Sequence, residues 1–366
     1  MTGWTDEDAV GLLHQMLDIP SPSGAEQDLA AFLAVALAKA GFDSRIDEVG
    51  NVIGDIGAGD GPTLMLLSHL DTVDRPLPVR RTATTLHGRG AVDAKGPLAT
   101  MISAAARRPD FRGRITVIGA VEEERLSRGG HHVAATLPEP DWLIVGEPSG
   151  WSSLVLGYKG KIDIGFRVRA EPTHSTNPRP KAVERAVAFW LALLEALGPE
   201  RDHGRFGVPA ATLRRLDGDL LEAFADVDCR VPPDFDYDGF CAALHRVADG
   251  GDLDIVRYIP AVTGSRRSPV ARCLAAGIRT AGGQPRPVLK TGTSDMNTVS
   301  ERWSMPMAAY GPGDSSLDHG DGEQLSIEEY LRAITALTVC IDELGQEGRG
   351  PAATAQPVSP PAPPQS

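Results

Sequence analysis

An α/β fold with a mostly parallel central sheet, interrupted by a smaller α+β insertion, is the architecture this sequence predicts. Three observations predict it. Apolar runs of strand length alternate with helix-period segments through the first 155 residues, as in parallel sheets with crossover helices. From about Leu156 the order changes to β-α-β-β-α-β, the pattern of a ferredoxin-like open-faced sandwich, and near Ser268 the first pattern resumes. A chain of 366 residues is also too long for one small domain and suits two. The expected division is a discontinuous unit of residues 1–155 and 268–345, an inserted unit of 156–267, and a tail of 346–366.

The elements follow in order. Thr5 to Leu17 has helical apolar spacing, and Thr5 with Asp8 makes a capping-box start. A second amphipathic helix runs from about Ala25 to Ala40 and stops at Gly41. Strand-like Thr63–Leu67 is followed by a helix opening near Pro97, strand-like Arg114–Val121, a helix after Arg128, and strand-like Trp142–Val145. The insertion holds strand-like Lys161–Val168, a helix over Lys181–Leu197, strand-like Ala223–Val231, a helix over Phe235–Ala248 and strand-like Leu253–Tyr258. A helix near Ser268, strands Pro287–Lys290 and Met305–Ala309, and a helix over Ile327–Leu344 close the chain. From Gly345 the sequence is rich in Pro, Ala, Gln and Ser, a composition that predicts disorder.

Composition excludes several classes. A formal charge of −13 argues against broad binding to nucleic acid or an anionic membrane surface. No apolar stretch reaches bilayer length and the first residues lack a signal segment, so a cytoplasmic location is expected. Cys229, Cys241, Cys273 and Cys340 show no Cys-x-x-Cys spacing, which fits reduced thiols better than disulfides or a thiolate metal site.

Histidine and carboxylate residues gather where strands end. His69 and Asp71 follow the apolar run Thr63–Leu67, and His-x-Asp puts an imidazole and a carboxylate on one side of the strand end. A carboxylate placed there can fix the ring of a metal-bound histidine. Gly88 to Pro97 joins a glycine-rich loop carrying Asp93 to a helix start, and lacks the Lys-Ser/Thr ending of a phosphate loop. Glu122, Glu123 and Glu124 close the strand-like Arg114–Val121, and three adjacent carboxylates at a buried strand end are costly without cations. Glu147 ends Trp142–Val145, and His319 lies in a Gly/Pro-rich stretch after Met305–Ala309. The carboxyl edge of an open α/β sheet is where ligands bind. Histidine and carboxylate without sulfur suit zinc, cobalt or manganese at a hydrolytic centre, and five such ligands suffice for two ions sharing a carboxylate.

Together these motifs resemble the acetylornithine deacetylase, succinyl-diaminopimelate desuccinylase and carboxypeptidase G-type family of dinuclear zinc hydrolases. The resemblance covers residues 5 to 344 and rests on His69-Leu70-Asp71-Thr72-Val73, Gly88-Arg89-Gly90 through Asp93-Ala94-Lys95-Gly96, Glu122-Glu123-Glu124, Gly146-Glu147-Pro148 and His319. It implies a zinc-peptidase-like catalytic domain with an inserted dimerisation domain, and two divalent ions per chain, zinc foremost with cobalt or manganese as substitutes. By motif, Asp93 would bridge the ions. His69 and Glu147 would complete one ligand set, and Glu124 and His319 the other. Asp71 would orient His69, and Glu123 would be the general base that returns its proton to the leaving amine. His174 matches a family histidine that reaches a neighbouring subunit's site, which implies a homodimer. Arg230 stands where the family carries a substrate-carboxylate ligand; a structural salt bridge is the other reading.

Lys290-Thr291-Gly292-Thr293-Ser294-Asp295-Met296-Asn297, with Gly90 to Gly96, looks most like the lysine-biosynthesis deacylases. These free lysine or ornithine from an acyl group, in many organisms the γ-carboxyl of an amino-group carrier protein. The resemblance thus implies either a small acyl amino acid or an acylated carrier protein as substrate. Thr293, Ser294 and Asp295 would lie beside the amino-acid portion; Asp295 would pair with its side-chain ammonium or, equally, cap the adjoining helix. Arg257, Arg266, Arg267, Arg286 and Lys290 are candidates for a local basic patch that an acidic carrier would need. The nearest rivals are other family deacylases or dipeptidases. A metal-binding protein without turnover is the rival of another class, and Glu123 speaks against it, because metal binding needs no base.

Overall fold

The computed structural model describes residues 3–347. The chain opens with α1 (Asp6–Leu17) and α2 (Gln27–Lys39). The capping box is present: Thr5 Oγ1 accepts from the Asp8 amide at 3.1 Å and the Asp8 carboxylate accepts from the Thr5 amide at 2.9 Å. Next come β1 (Asp43–Ile46), β2 (Val52–Ile56), β3 (Thr63–His69), β4 (Arg80–Arg81), β5 (Thr85–His87), α3 (Lys95–Ala106), β6 (Arg114–Ala120), α4 (Arg128–Thr136), β7 (Trp142–Val145) and β8 (Ser153–Tyr158). The insertion follows as β9 (Gly160–Arg169), α5 (Ala182–Ala196), β10 (Ala210–Gly218), β11 (Glu222–Val231), α6 (Tyr237–Val247) and β12 (Asp252–Ile259). The chain returns through β13 (Val262–Thr263), α7 (Pro269–Thr280), β14 (Arg286–Lys290), α8 (Asp295–Ser300), β15 (Met307–Ala309), β16 (Gln324–Ser326) and α9 (Ile327–Glu347).

A nine-stranded sheet has the order β1-β2-β6-β3-β7-β15-β8-β13, with β14 also paired to β8. Its middle is parallel, β6, β3, β7 and β15 running together; β1, β2, β8 and β13 pair antiparallel with their neighbours, while β14 runs parallel to β8. The run in β3 is apolar without alternation because both faces are covered. Leu64 and Leu66 pack toward α1, α2, α3, α7 and α9, while Met65 and Leu67 pack toward α4 and α8. Strands buried on both faces read this way in parallel sheets.

Several boundaries moved. β3 extends to His69, which is therefore the last residue of the strand rather than beyond it. β15 begins at Met307, not Met305, because Pro306 has no amide hydrogen to donate; its carbonyl accepts from Leu143 instead. Residues 346–347, expected in the tail, continue α9; residues 348–366, where disorder was expected, lie outside the described residues.

The insertion is a four-stranded antiparallel sheet, order β10-β11-β9-β12, with α5 and α6 on one face. Ile162, Ile164, Phe166 and Val168 alternate inward, and Phe166 stacks on Phe189 of α5 with ring centres 3.9 Å apart. β10, which the apolar pattern did not reveal, supplies the fourth strand; it is an edge strand and most of its side chains are exposed. The expected cut at 155/156 falls inside β8, and β13, expected in the insertion, pairs with β8. The four-stranded sheet itself spans 160–259. Lys161 near the start of β9 and its register partner Arg230 on β11 line one cavity with residues that follow β6 and β7.

Candidate metal centre

Three neighbouring parallel strands deliver their last residues to one edge. His69 ends β3, the acidic triplet follows β6, and Glu147 follows β7. His69 Nδ1 lies 2.9 Å from the Asp71 carbonyl oxygen, which can only accept. A ring proton therefore sits on Nδ1, which turns Nε2 toward Asp93, whose Oδ1 is 3.2 Å away. The other oxygen of Asp93, Oδ2, lies 3.2 Å from His319 Nε2, and His319 Nε2 lies 2.8 Å from Glu124 Oε1. One carboxylate thus faces two imidazoles with different oxygens, the arrangement of a bridging ligand. Donor atoms of His69, Asp93 and Glu124 fall within 4.8 Å of one another.

Asp71 has a wider role than orienting a ring. Its carboxylate is 3.4 Å from His69 Nδ1, while its oxygens accept from the amides of Glu123 at 3.0 Å and Glu124 at 3.1 Å and from Ser23 Oγ at 2.7 Å. It is fully buried and holds the whole acidic loop against the end of β3. Glu122 occupies a positive-φ turn and pairs outward with Arg128 at 2.9 Å, which leaves Glu123 and Glu124 to the interior.

The electrostatics are those of an anionic pocket short of positive charge. Burial, with Glu147 close by, pushes the Glu123 carboxyl well above its usual range. Burial, with Asp93 close by, does the same to Glu147. Burial opposes ionisation of Asp93 as well, but the imidazoles of His319 and His69 hold its carboxyl well below the usual range. Contact with Asp93 and Glu124 lifts the His319 imidazole to about 10. A cluster of carboxylates and imidazoles at bridging distances, with buried acids lacking counter-ions, is a donor set that fits two divalent cations.

A cavity of about 380 Å³ opens above these groups. Asp93, Glu123, Glu124, Glu147 and His319 line it, as do Arg230, Thr293 and Ser294. Arg230 makes the salt bridge, its Nε donating to Asp228 at 2.9 Å, and its Nη1 donates to Thr293 Oγ1 at 3.3 Å on the cavity wall. Asp295 does not line the cavity. It is buried beneath Ser294, its two oxygens have no hydrogen-bond partner, and burial raises its carboxyl to about 6. The cap of α8 is Ser294, whose Oγ accepts from the Met296 amide at 3.1 Å. His174 lies on an exposed loop of the insertion, 2.8 Å from Thr176 Oγ1, and is not among the residues lining the cavity of its own chain. Of the basic candidates, Arg257 and Lys290 line the cavity, whereas Arg266 lines a different depression. Tyr158 and Lys161 also line it and were missed: Tyr158 ends a strand that the apolar pattern did not delimit, and a lone lysine carries no motif.

Comparison with known proteins agrees with this geometry. A family model described as peptidase family M20/M25/M40 matches residues 65–343. A protein of Deinococcus radiodurans named LysW-lysine hydrolase is 40% identical over 348 residues, covering 91% of this chain and 96% of the relative. A putative LysW-lysine/LysW-ornithine hydrolase of Thermococcus kodakarensis is 37% identical over 344 residues, covering 93% of each. Among solved structures, an M20 family metallo-carboxypeptidase of Sulfolobus solfataricus superposes with a TM-score of 0.76 at 17% identity, covering 93% of this chain and 99% of that one. A dinuclear metal binding peptidase of the same family from Bacillus subtilis gives 0.72 at 13% identity, covering 94% and 99%.

Proposed function

Because this chain belongs to peptidase family M20/M25/M40 and is a hydrolytic enzyme, we propose that it cleaves an Nα-acyl bond to release lysine or ornithine from an acylated amino-group carrier protein. The observation that carries the chemistry is Asp93, with one oxygen toward His69 and the other toward His319, each at 3.2 Å. His69 and Glu147 would hold one cation and Glu124 and His319 the other, with Asp93 between them. Zinc is the ion we propose, since imidazole and carboxylate ligands suit it, and cobalt or manganese would fit the same donors. Bound there, two cations would supply Lewis acidity toward a carbonyl and water made nucleophilic near neutral pH.

Glu123 would take the proton from the attacking water and return it to the leaving amine. Burial and Glu147 raise its carboxyl, and cations beside it would lower it; a raised carboxyl holds a proton more readily and so suits a group that must both accept and return one. His174, away from its own cavity, would serve a second copy of the chain by steadying the oxyanion, which makes the working form a homodimer. Arg230 with Thr293 and Ser294 would contact the substrate. The names of the two relatives support a carrier-linked lysine or ornithine, and cations at the cavity mouth, Lys161, Arg257 and Lys290, suit an acyl donor that bears carboxylates. We place the enzyme in the cytoplasm; no helix of the described residues is long and apolar enough to cross a membrane. The test is a substrate panel of acetyl-lysine, acetyl-ornithine, succinyl-diaminopimelate and a γ-glutamyl carrier conjugate of lysine. Release of lysine from the conjugate alone supports the proposal; preference for an acetylated amino acid would replace it with a small-molecule deacetylase.

A further inference from the structure

Arg89 flanks Asp93 in the glycine-rich loop, yet the site's chemistry does not use it. It is 7% exposed and pairs with Glu323, which is 2% exposed and, unlike His319 four residues earlier, does not line the cavity. Placing a carboxylate so deep is costly unless donors surround it. Here three converge. Glu323 Oε1 accepts from the amide of Val92 at 2.9 Å and from that of Asp93 at 3.2 Å, and Oε2 accepts from Arg89 Nη1 at 2.6 Å. The Glu323 carbonyl also accepts from the Gly88 amide at 3.3 Å, and Arg89 Nε donates to the Arg75 carbonyl at 2.8 Å.

These bonds join two segments that matter to the metal centre for different reasons. One carries Asp93 into α3; the other carries His319 from β15 toward β16. We infer that Glu323 is a positioning residue: its carboxylate lashes the Asp93 loop to the His319 loop and so sets the bridging carboxylate between its imidazoles before any cation arrives. Charge-assisted bonds to two consecutive amides restrain both the place and the tilt of the Asp93 peptide. Partners behind first ligands typically govern affinity by this kind of restraint. Arg89 neutralises the buried carboxylate and lets it persist there.

The inference rests on Asp93 being a metal ligand, and the experiment separates the two. The full chain is stripped of metal, and zinc titration against a competing chelator is combined with hydrogen exchange over residues 88–96. The parent should bind two ions and should protect the Val92 and Asp93 amides before zinc is added. Glu323→Ala should lose that protection and bind zinc at least about tenfold more weakly per folded chain, the usual scale for such partners. Glu323→Gln, whose carbonyl can still accept both amides, should fall between. Parental zinc affinity in folded Glu323→Ala would overturn the inference. A parent loop that exchanges freely until zinc is added would also overturn it, and that measurement needs no variant to fold. A parent that takes up no zinc would instead bring down the metal-centre reading beneath.

Discussion

The floor and the mouth of the cavity are built on opposite terms. The floor is acid and imidazole on buried strand ends: His69 is 2% exposed, Asp71 is fully buried, and neighbours on three strands fix both. The mouth is cationic and comes largely from the insertion, where the half-buried cations Lys161 and Arg230 lie 3.0 Å from Asp163 and 2.9 Å from Asp228, both carboxylates being buried. The groups proposed to react, His319 apart, thus sit where the core leaves them little freedom, and the groups proposed for recognition are long side chains whose cationic ends reach the cavity. A buried group is perturbed by every neighbour, whereas a half-buried cation on a long stem keeps part of its hydration and can shift toward an entering anion. Changes in the floor should therefore act on turnover and metal, and changes at the mouth on substrate affinity.

The sharpest way to break that contrast is Glu123→Gln. It should keep its metals yet lose at least about a hundredfold in kcat, the scale of a general base; near-parental turnover in the metal-loaded variant would remove Glu123 from the chemistry. Acidity probes the floor next. With its imidazole lifted to about 10, His319 carries a proton at neutral pH in the metal-free chain and must shed it to bind a cation. Zinc affinity should then rise by about tenfold per pH unit between pH 6 and 9, if one proton is released per binding event, and calorimetry in buffers of different ionisation enthalpy should detect the release. For stability of the metal-free chain the sign is opposite. A raised imidazole contributes fully below its unfolded value of 6.5, and the contribution disappears as pH rises through about 10. A flat affinity profile would mean that His319 is not a ligand.

At the mouth, Arg230→Met should raise KM by about tenfold with kcat nearly intact, as expected for a lost charged hydrogen bond. An equal fall in kcat would move Arg230 from recognition into catalysis. The mildest effect comes from mixing inactive His174→Ala and inactive Glu123→Gln subunits. If each site borrows His174 from its partner, statistical exchange should restore about a quarter of parental activity, since half the dimers are mixed and each carries one intact site. No recovery after proven subunit exchange would confine the site to one chain.

Much of this was legible in the primary structure because the two-faced burial of β3, β6 and β7 leaves short apolar runs that end in polar residues of the site. His69, Glu123, Glu124 and Glu147 could be placed at strand ends for that reason. Asp295 was misread as a possible cap or an ammonium partner: Ser294 caps the helix, and the Asp295 side chain turns inward toward Gly130 rather than into the cavity. Sequence adjacency cannot say which of two neighbouring polar residues faces a ligand. β10 escaped notice because an exposed edge strand has no apolar signature, and Lys161 because its role depends on where β9 meets β8.

Residue order alone determined the alternation of elements, the place of the insertion and the kinds of donor available, since each follows from local propensity and burial pattern within a short window. What only the folded chain decided is which donors meet. Asp93 and His319 are separated by more than two hundred residues, and the carboxylate of Glu323 joins their loops through contacts that no local pattern encodes. Bringing such groups together is the work of long-range packing, which buries the carboxylates and thereby gives them their chemistry.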